Sequence, residues 1–294
     1  MTSLLIGPDD AGQRLDRFLR KVLPQNPLGQ IFRGLRRGSI RVNGKTVDGA
    51  YRLCAGDAVE CGPGFAPSAV RAPVEVRSPG KDIEVLHRDA DLLVVAKPSG
   101  LALHSGSGVH DDLVARVRAQ FGAGRGHTFR IAPAHRIDRD TSGLVVFGLS
   151  APGLRGFAEL LRQGAVEKTY LALVHGTAPE GGDIDLALAR QPDRRTGPRM
   201  VADAEVGIAA HTRFVRLAQR GANALLAVQL LTGRTHQIRV HLASRGLPIV
   251  GDRRYGRDDR AARLHLHAWR LRCRHPVTGA DLAVESPPPA ALRP

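Results

Sequence analysis

From Ile83 onward the chain carries short apolar runs of strand length: IEVLH, LLVVAK, LVVFGL, TYLALVHG, HTRFVRLA and ALLAVQLL. Segments this short, rich in Val and Leu and bounded by polar or turn residues, read as strands. Helical patterns such as LVARVRAQF and LRGFAELLRQG fall between only some of them. Strict alternation would imply a doubly wound parallel sheet. The irregular order instead predicts an α+β fold with a mixed, mostly antiparallel sheet.

Ahead of this region lies a smaller pattern of its own. In RLDRFLRKVL, Leu15, Phe18, Leu19 and Val22 recur at helical spacing, with Arg14, Arg17 and Lys21 largely off that face. LGQIFRGLRRG predicts a second short helix stopped by Gly38, and SIRVNGKTV a strand, a turn at Asn43-Gly44 and a return strand. Residues 62–82 hold four Pro and three Gly with no period, as a linker would. The expected division is a small α/β unit at 1–61, a linker at 62–82, a large domain at 83–285 and a disordered tail at 286–294.

Charge narrows the partner. The 43 basic residues exceed the 28 acidic ones, a formal net charge of +15. An excess of this size favours polyanions, nucleic acid above all. Residues 12–46 hold nine basic side chains against one acid, Asp16, so Arg14, Arg17, Arg36 and Arg37 are candidate phosphate contacts. The three cysteines are odd in number and form no Cys-x-x-Cys pair, which reads as a reduced, cytoplasmic chain. The first residues, MTSLLIGPDD, do not read as a signal peptide, and no apolar run approaches the ~18 residues of a membrane span.

Between RIAPA and GLVVFGL stands HRIDRDTSG, residues 135–143, in which five of nine side chains can carry charge. Polar groups beside a core strand are costly unless paired. One reading is a polar turn, with Thr141 or Ser142 bonding locally and Gly143 easing the bend. A second is an Asp-x-Asp metal site at Asp138 and Asp140, but no third acid stands at suitable spacing and the adjoining arginines would repel a dication. A third is a single catalytic carboxylate, kept ionised by a nearby guanidinium.

Two other stretches bear on the choice. In LLTGRTHQIRVHLASRG, residues 230–246, a strand ends, Thr235 can cap a helix running to Gly246, and His236 and Arg239 share one face near its start. Arg234, His236 and Arg239 at a helix N-terminus suit an anion, either a phosphate or Asp138; a surface helix with salt bridges is the plain alternative. In VEKTYLALVHG, alternation puts Lys168 and Tyr170 on one side of a strand, where a tyrosine is most often core. ARQPDRRTGPRM, residues 189–200, reads as an exposed, flexible basic arm. His265, His267 and Cys273 lack a fourth zinc ligand, and GAGRGH lacks the Lys-Ser/Thr of a phosphate loop.

These stretches, in this order, resemble the RluA family of pseudouridine synthases. HRIDRDTSG differs from the family signature His-Arg-Leu-Asp-x-x-Thr-Ser-Gly only at Ile137. KTYLALVHG, GRTHQIRVHLA, LPIVGDRRYG, LLVVAKPSGLALHSGSG and LHLHAWRLRCRHPVTG carry the likeness from Ile83 to about Gly279. The first 60 residues resemble the small RNA-binding domain of the ribosomal S-four type. Gly148-Leu149 and Ser105 depart from the family pattern outside its catalytic set. The resemblance implies that Asp138 is the catalytic aspartate, Arg239 its partner and Tyr170 the tyrosine that packs on the target base, while Asp140 falls at a free position. His135, Arg136, Thr141, Lys168, Arg234 and His236 are then expected to bind substrate. The implied reaction isomerises uridine to its carbon-linked form in RNA, with ribosomal RNA of the large subunit as the expected partner. It needs no cofactor and no metal, and a monomer away from membranes is expected. The carboxylate would attack the anomeric carbon or take the neighbouring ribose proton. A non-catalytic RNA-binding assembly factor is the rival reading, with a metal-dependent nuclease behind it.

Overall fold

The computed structural model describes residues 1–68, 82–104, 111–122, 126–192, 198–257 and 259–294. Its N-terminal part is a three-stranded antiparallel sheet with two helices: β1 (Thr2–Leu5), α1 (Leu15–Val22), α2 (Leu28–Arg36), β2 (Ile40–Val42) and β3 (Ala58–Cys61), in strand order β1-β3-β2. Leu15, Phe18, Leu19 and Val22 all face inward and, with Ile31, Leu35, Ile40 and Val59, form a core separate from that of the rest of the chain. Asn43 and Gly44 both have positive φ, the backbone of a tight hairpin turn. The expected return strand is reduced to a single bridge between Val42 and Lys45, because β2 pairs with β3 instead.

The rest is built on one ten-stranded sheet. Its elements are β4 (Glu84–Arg88), β5 (Leu92–Lys97), α3 (Leu113–Phe121), β6 (Ala132–Pro133), β7 (Ser142–Gly148), α4 (Ala151–Arg162), β8 (Glu167–His175), β9 (Gly181–Asp185), β10 (Leu188–Gln191), β11 (Arg199–Ala202), β12 (His211–Arg220), β13 (Asn223–Leu230), α5 (Gln237–Ser244), β14 (Leu266–Arg274) and β15 (Asp281–Glu285). The order is β4-β5-β7-β14-β8-β13-β12-β9, with β6 on β7 and β15 on β14. All pairings are antiparallel except β7 with β14, so the mixed, mostly antiparallel α+β sheet expected from the sequence is what forms. β7 is buried along its whole length, with α4 packed against it. Ser150 caps α4 by accepting from the Gly153 amide at 3.0 Å, and Asp112 caps α3 in the same way at 2.7 Å. Gly143 opens β7 with φ +106°, and a Cβ there would lie 2.1 Å from the Ala268 carbonyl oxygen. The parallel β7–β14 contact therefore requires glycine at the end of HRIDRDTSG.

Several expectations are corrected. The tail is ordered: Ser286 donates its amide to the Trp269 carbonyl, and a 3-10 turn at Ala290–Leu292 buries Leu292 at 0% exposure against Leu171, Leu225 and Trp269. An apolar anchor hidden among prolines is hard to see in sequence. Phe65, at the start of the proposed linker, packs into the N-terminal core, and the Ser68 amide donates to Val22; residues 69–81 lie outside the described residues. The ends of the basic arm are paired strands, β10 with β11, while 193–197 lie outside the described residues. The same holds for Ser105.

The N-terminal unit is docked onto the larger one. Asp10, at 0% exposure, accepts from the amides of His127 and Thr128 and from the Thr128 hydroxyl at 2.6–2.9 Å. Asp9 accepts from the Ala151 amide at the start of α4 at 2.7 Å. Carboxylates that take several amide donors at a helix start or turn are well satisfied, and removing one strands buried donors.

Candidate active site

Four segments converge on a cleft of about 610 Å³: the loop 135–141 ahead of β7, strand β8, the end of α4, and the 230–239 turn into α5. Its size lies in the range of small-molecule sites. Asp138, Tyr170 and Arg239, the three residues singled out from sequence, line it together with His135, Arg136, Thr141, Lys168, Arg234 and His236. Arg14, Arg17, Arg36 and Arg37 do not line it. Arg14 is paired with Asp16 at 2.7 Å, whereas Arg17, Arg36 and Arg37 are exposed on the N-terminal unit. Asp140 is exposed and lies off the cleft.

The loop before β7 is held by a lysine that sequence reasoning passed over. Lys97, at the buried end of β5, donates from Nζ to the carbonyls of Pro98, Leu101 and Arg139 at 2.6–2.9 Å. Burial pushes its pKa down to about 8. The Ser99 hydroxyl donates to the Asp140 carbonyl, Arg139 Nε to the Gly100 carbonyl and the Gly100 amide to the Arg139 carbonyl, so the two turns are stapled together beside Asp138. His135 anchors the front of the loop. Its Nε2 accepts from the Val146 amide at 3.1 Å, its ring stacks on Phe157, and burial pushes its pKa down to about 4. The ring is therefore neutral, with its acceptor nitrogen occupied within the protein while the residue lines the cleft.

Asp138 Oδ2 accepts from Arg239 Nη1 at 3.3 Å. The guanidinium, 7% exposed, is gripped from its other edge by Asp252: Nε donates to Oδ2 and Nη2 to Oδ1, both at 2.8 Å. Burial disfavours the charged guanidinium, but the two carboxylates more than offset this and its pKa is raised. Asp252, 1% exposed, would be pushed up by burial, yet Arg239 and two backbone amides hold its pKa down. The bidentate grip fixes the plane of the fork and leaves Nη1 turned to Asp138. Asp252 follows Gly251, where φ is +78° and a Cβ would lie 1.9 Å from the Arg263 carbonyl oxygen. The only sequence signal for Asp252 was its place in LPIVGDRRYG.

The helix start differs from expectation. Thr235 does not cap α5; the N-cap is His236, in the left-handed conformation at φ 55° and without a side-chain cap. Gln237 Oε1 takes the local donors instead, from the Arg234 amide and the Thr232 hydroxyl. This backbone turns the His236 ring into the cleft, with Nε2 3.9 Å from Asp138 Oδ1. Tyr170 is buried in β8, and burial together with the charge of Asp138 pushes its pKa up, so it stays a neutral phenol. Burial also pushes the Lys168 pKa down. The Thr141 hydroxyl is buried and without a hydrogen-bond partner among the described residues.

Metal ligation finds little support here. His267 Nδ1 pairs with the Ser142 hydroxyl and His265 Nδ1 with the Val250 carbonyl, so the histidines of LHLHAW are committed separately. Asp89, Asp91 and His275 do bring ligand atoms within 4.8 Å of one another. However, His275 Nδ1 accepts from the Val277 and Thr278 amides, which leaves the proton on Nε2, facing Asp89 Oδ2 at 3.2 Å. That contact lacks hydrogen-bond geometry, but with Nδ1 accepting the two amides Nε2 is protonated and has no lone pair to offer a cation. No helix among the described residues is long and apolar enough to cross a membrane.

Known proteins place this geometry. Residues 91–244 match the RNA pseudouridylate synthase family, and residues 13–59 match the S4 domain. Ribosomal large subunit pseudouridine synthase C of Escherichia coli (strain K12) is 37% identical over 98% of this chain and 93% of its own length. Its counterpart in Pasteurella multocida (strain Pm70) is 35% identical over 97% and 89%. Among solved structures, human RNA pseudouridylate synthase domain containing 1 superposes with a TM-score of 0.61 at 27% identity, covering 74% of this chain and 89% of that one. With its cleft built almost wholly from the matched segment and its likeness to these relatives running nearly end to end, the chain belongs to the RNA pseudouridylate synthase family.

Proposed function

We propose that this protein converts uridine to pseudouridine in large-subunit ribosomal RNA, with Asp138 as the catalytic carboxylate. The observation that carries the reading is the Asp138–Arg239 pair in the cleft, where Oδ2 is engaged at 3.3 Å and Oδ1 is turned toward His236. In the reaction the bond from uracil N1 to ribose C1′ breaks, the base turns, and C5 bonds to C1′. The C5 hydrogen is lost as a proton and N1 gains one, so nothing is oxidised and no group leaves. Asp138 either attacks C1′ or takes the ribose C2′ proton, and Oδ1 is the oxygen with room to do so. Tyr170, apolar in body and neutral, offers a face for the everted base. Arg136, Lys168 and Arg234 supply cations along the rim for the flanking phosphates. The exposed Arg17, Arg36 and Arg37 extend that attraction over the N-terminal unit. Isomerisation exchanges no electrons, so no redox cofactor is called for; a monomer is the oligomeric state that goes with this reading, and the unpaired cysteines suit a reducing cytoplasm.

The test is Asp138→Ala in the full chain, assayed on transcribed large-subunit ribosomal RNA with pseudouridine as the readout. Expected is loss of product with RNA affinity kept within about twofold. Product formation at the wild-type rate would assign the chemistry elsewhere, and a wild-type protein that binds this RNA without forming pseudouridine would favour the assembly-factor reading.

A further inference from the structure

The turn after α5 holds a tyrosine that the reaction as described does not use. Tyr255 Oη lies 2.8 Å from His236 Nδ1 and also accepts from the Met200 amide at 3.1 Å. Its ring packs edge-on against His236, and the Arg239 guanidinium lies 5.1 Å from its centroid. A phenol oxygen has one proton to give and accepts chiefly one hydrogen bond. The Met200 amide fills the acceptor role, so the phenol proton is directed at His236 Nδ1. The far end of the ring says the same: Nε2 faces Asp138 Oδ1 at 3.9 Å, and a carboxylate offers only acceptors. A lone pair on Nε2 would be repelled there, whereas an N–H is attracted. Both ends thus select the tautomer that carries its proton on Nε2. The charged neighbours are Asp138 and Asp252 on one side and Arg239 and Arg254 on the other; burial is the largest influence and disfavours the imidazolium.

We propose that Tyr255 is a positioning residue that locks His236 as a neutral Nε2–H donor aimed at the Asp138 side of the cleft. The proposal rests on reading the cleft as a uridine site. In that setting the donor serves negative charge on Asp138 and on the uracil oxygen that becomes electron-rich as the N1–C1′ bond breaks, without transferring a proton. Fixed donors of this kind act where charge develops and need no reorganisation. The left-handed backbone at His236 is tolerated because it delivers the ring to this spot, a strain of the sort found at working sites. The lock also reaches outward. Met200 belongs to β11, the Arg254 guanidinium donates to the Pro198 carbonyl, and Arg199 lies 5.8 Å from the Tyr255 ring. The basic hairpin β10–β11 is therefore anchored on the residue that sets the tautomer.

The test uses full-length protein with nitrogen-15 histidine and transcribed large-subunit ribosomal RNA. His236 is assigned by its absence from the His236→Gln spectrum. Expected in wild type is an Nε2-protonated, neutral imidazole at pH 7.5; an Nδ1-protonated or charged ring overturns the proposal without the need for any variant to fold. Tyr255→Phe should weaken the tautomer preference, leaving only the Asp138 end to select it, and lower kcat about tenfold with KM changed less than twofold, the loss expected for one orienting hydrogen bond. His236→Ala should lower kcat roughly a hundredfold, and His236→Gln, which keeps an amide donor near the Nε2 position, should recover most of it. A wild-type rate for Tyr255→Phe, or no advantage of Gln over Ala, sinks the inference while leaving the uridine reading intact. Absence of pseudouridine with wild-type protein would instead strike the reading on which it rests.

Discussion

Asp252 is the buried group on which the position of Arg239 depends most, and Asp252→Asn separates its charge from its shape. In the native site Oδ1 accepts from Arg239 Nη2 and from the amides of Arg254 and Tyr255, while Oδ2 accepts from Arg239 Nε. An asparagine can put its oxygen at the Oδ1 position and keep three of these bonds. Its amide nitrogen then faces Arg239 Nε, donor against donor, and the compensating charge is gone. Two unit charges ~4 Å apart at an effective dielectric of ~20 attract by about 4 kcal/mol, and breaking a buried pair costs about 3–5 kcal/mol. The retained bonds place the substitution at the low end, about 3 kcal/mol. Urea unfolding followed by the chain's one tryptophan, Trp269, which is buried in β14, would report it. Pseudouridine formation should fall ~10- to 100-fold as the fork loses its second anchor. The decisive comparison adds Arg239→Met. Once the guanidinium is absent, losing the Asp252 charge should cost much less than in the wild-type background. A destabilisation by Asp252→Asn below about 1 kcal/mol, or strict additivity in the double variant, would refute the claim that Asp252 exists to hold Arg239.

Two further outcomes follow from the same packing. His135 is neutral in the folded protein with its pKa pushed down to about 4, so the folded state binds fewer protons than the unfolded one between that value and the ordinary histidine value of ~6.5. Stability should thus be complete above ~6.5 and decline as pH falls toward 4, by up to about 3 kcal/mol at ~1.36 per unit; His135→Gln should flatten that part of the melting-temperature profile, and an unchanged profile would contradict the assignment. Gly143→Ala places a methyl 2.1 Å from the Ala268 carbonyl oxygen at φ +106°. It should yield insoluble protein or lower stability by more than about 3 kcal/mol, and a wild-type melting temperature would mean that the β7–β14 register is wrong.

What the sequence made legible was local or periodic. α1 could be read because four inward residues recur at helical spacing, and β5, β7 and β13 because each is a run of β-branched and leucine side chains of strand length. Asp138, Tyr170 and Arg239 were singled out through the resemblance of their stretches to the family motifs, since local pattern alone left a polar turn, a core tyrosine and a surface helix open, and the structure brings all three to one cleft. The residues that were missed depend on partners far along the chain. Lys97 looks like the polar end of a strand, and its burial follows from a carbonyl 42 residues later. Asp252 and Tyr255 sit in LPIVGDRRYG, which carries the family likeness, but nothing local marks them as partners of Arg239 and His236. The Thr235 cap failed for a related reason: Gln237 reaches back to Thr232 and the Arg234 amide, displacing the local bond that a threonine would make. Leu292 was lost among prolines because a single apolar residue has no period.

The buried seat of Asp10 has a mechanical consequence. With its carboxylate held by two amides and a hydroxyl, and Asp9 fastened to the first turn of α4, the leading unit is a fixed outrigger of the sheet rather than a tethered bead. An RNA that touches both meets a template of set span, ordered before contact, so the strand must supply the spacing and the protein loses little freedom in accepting it.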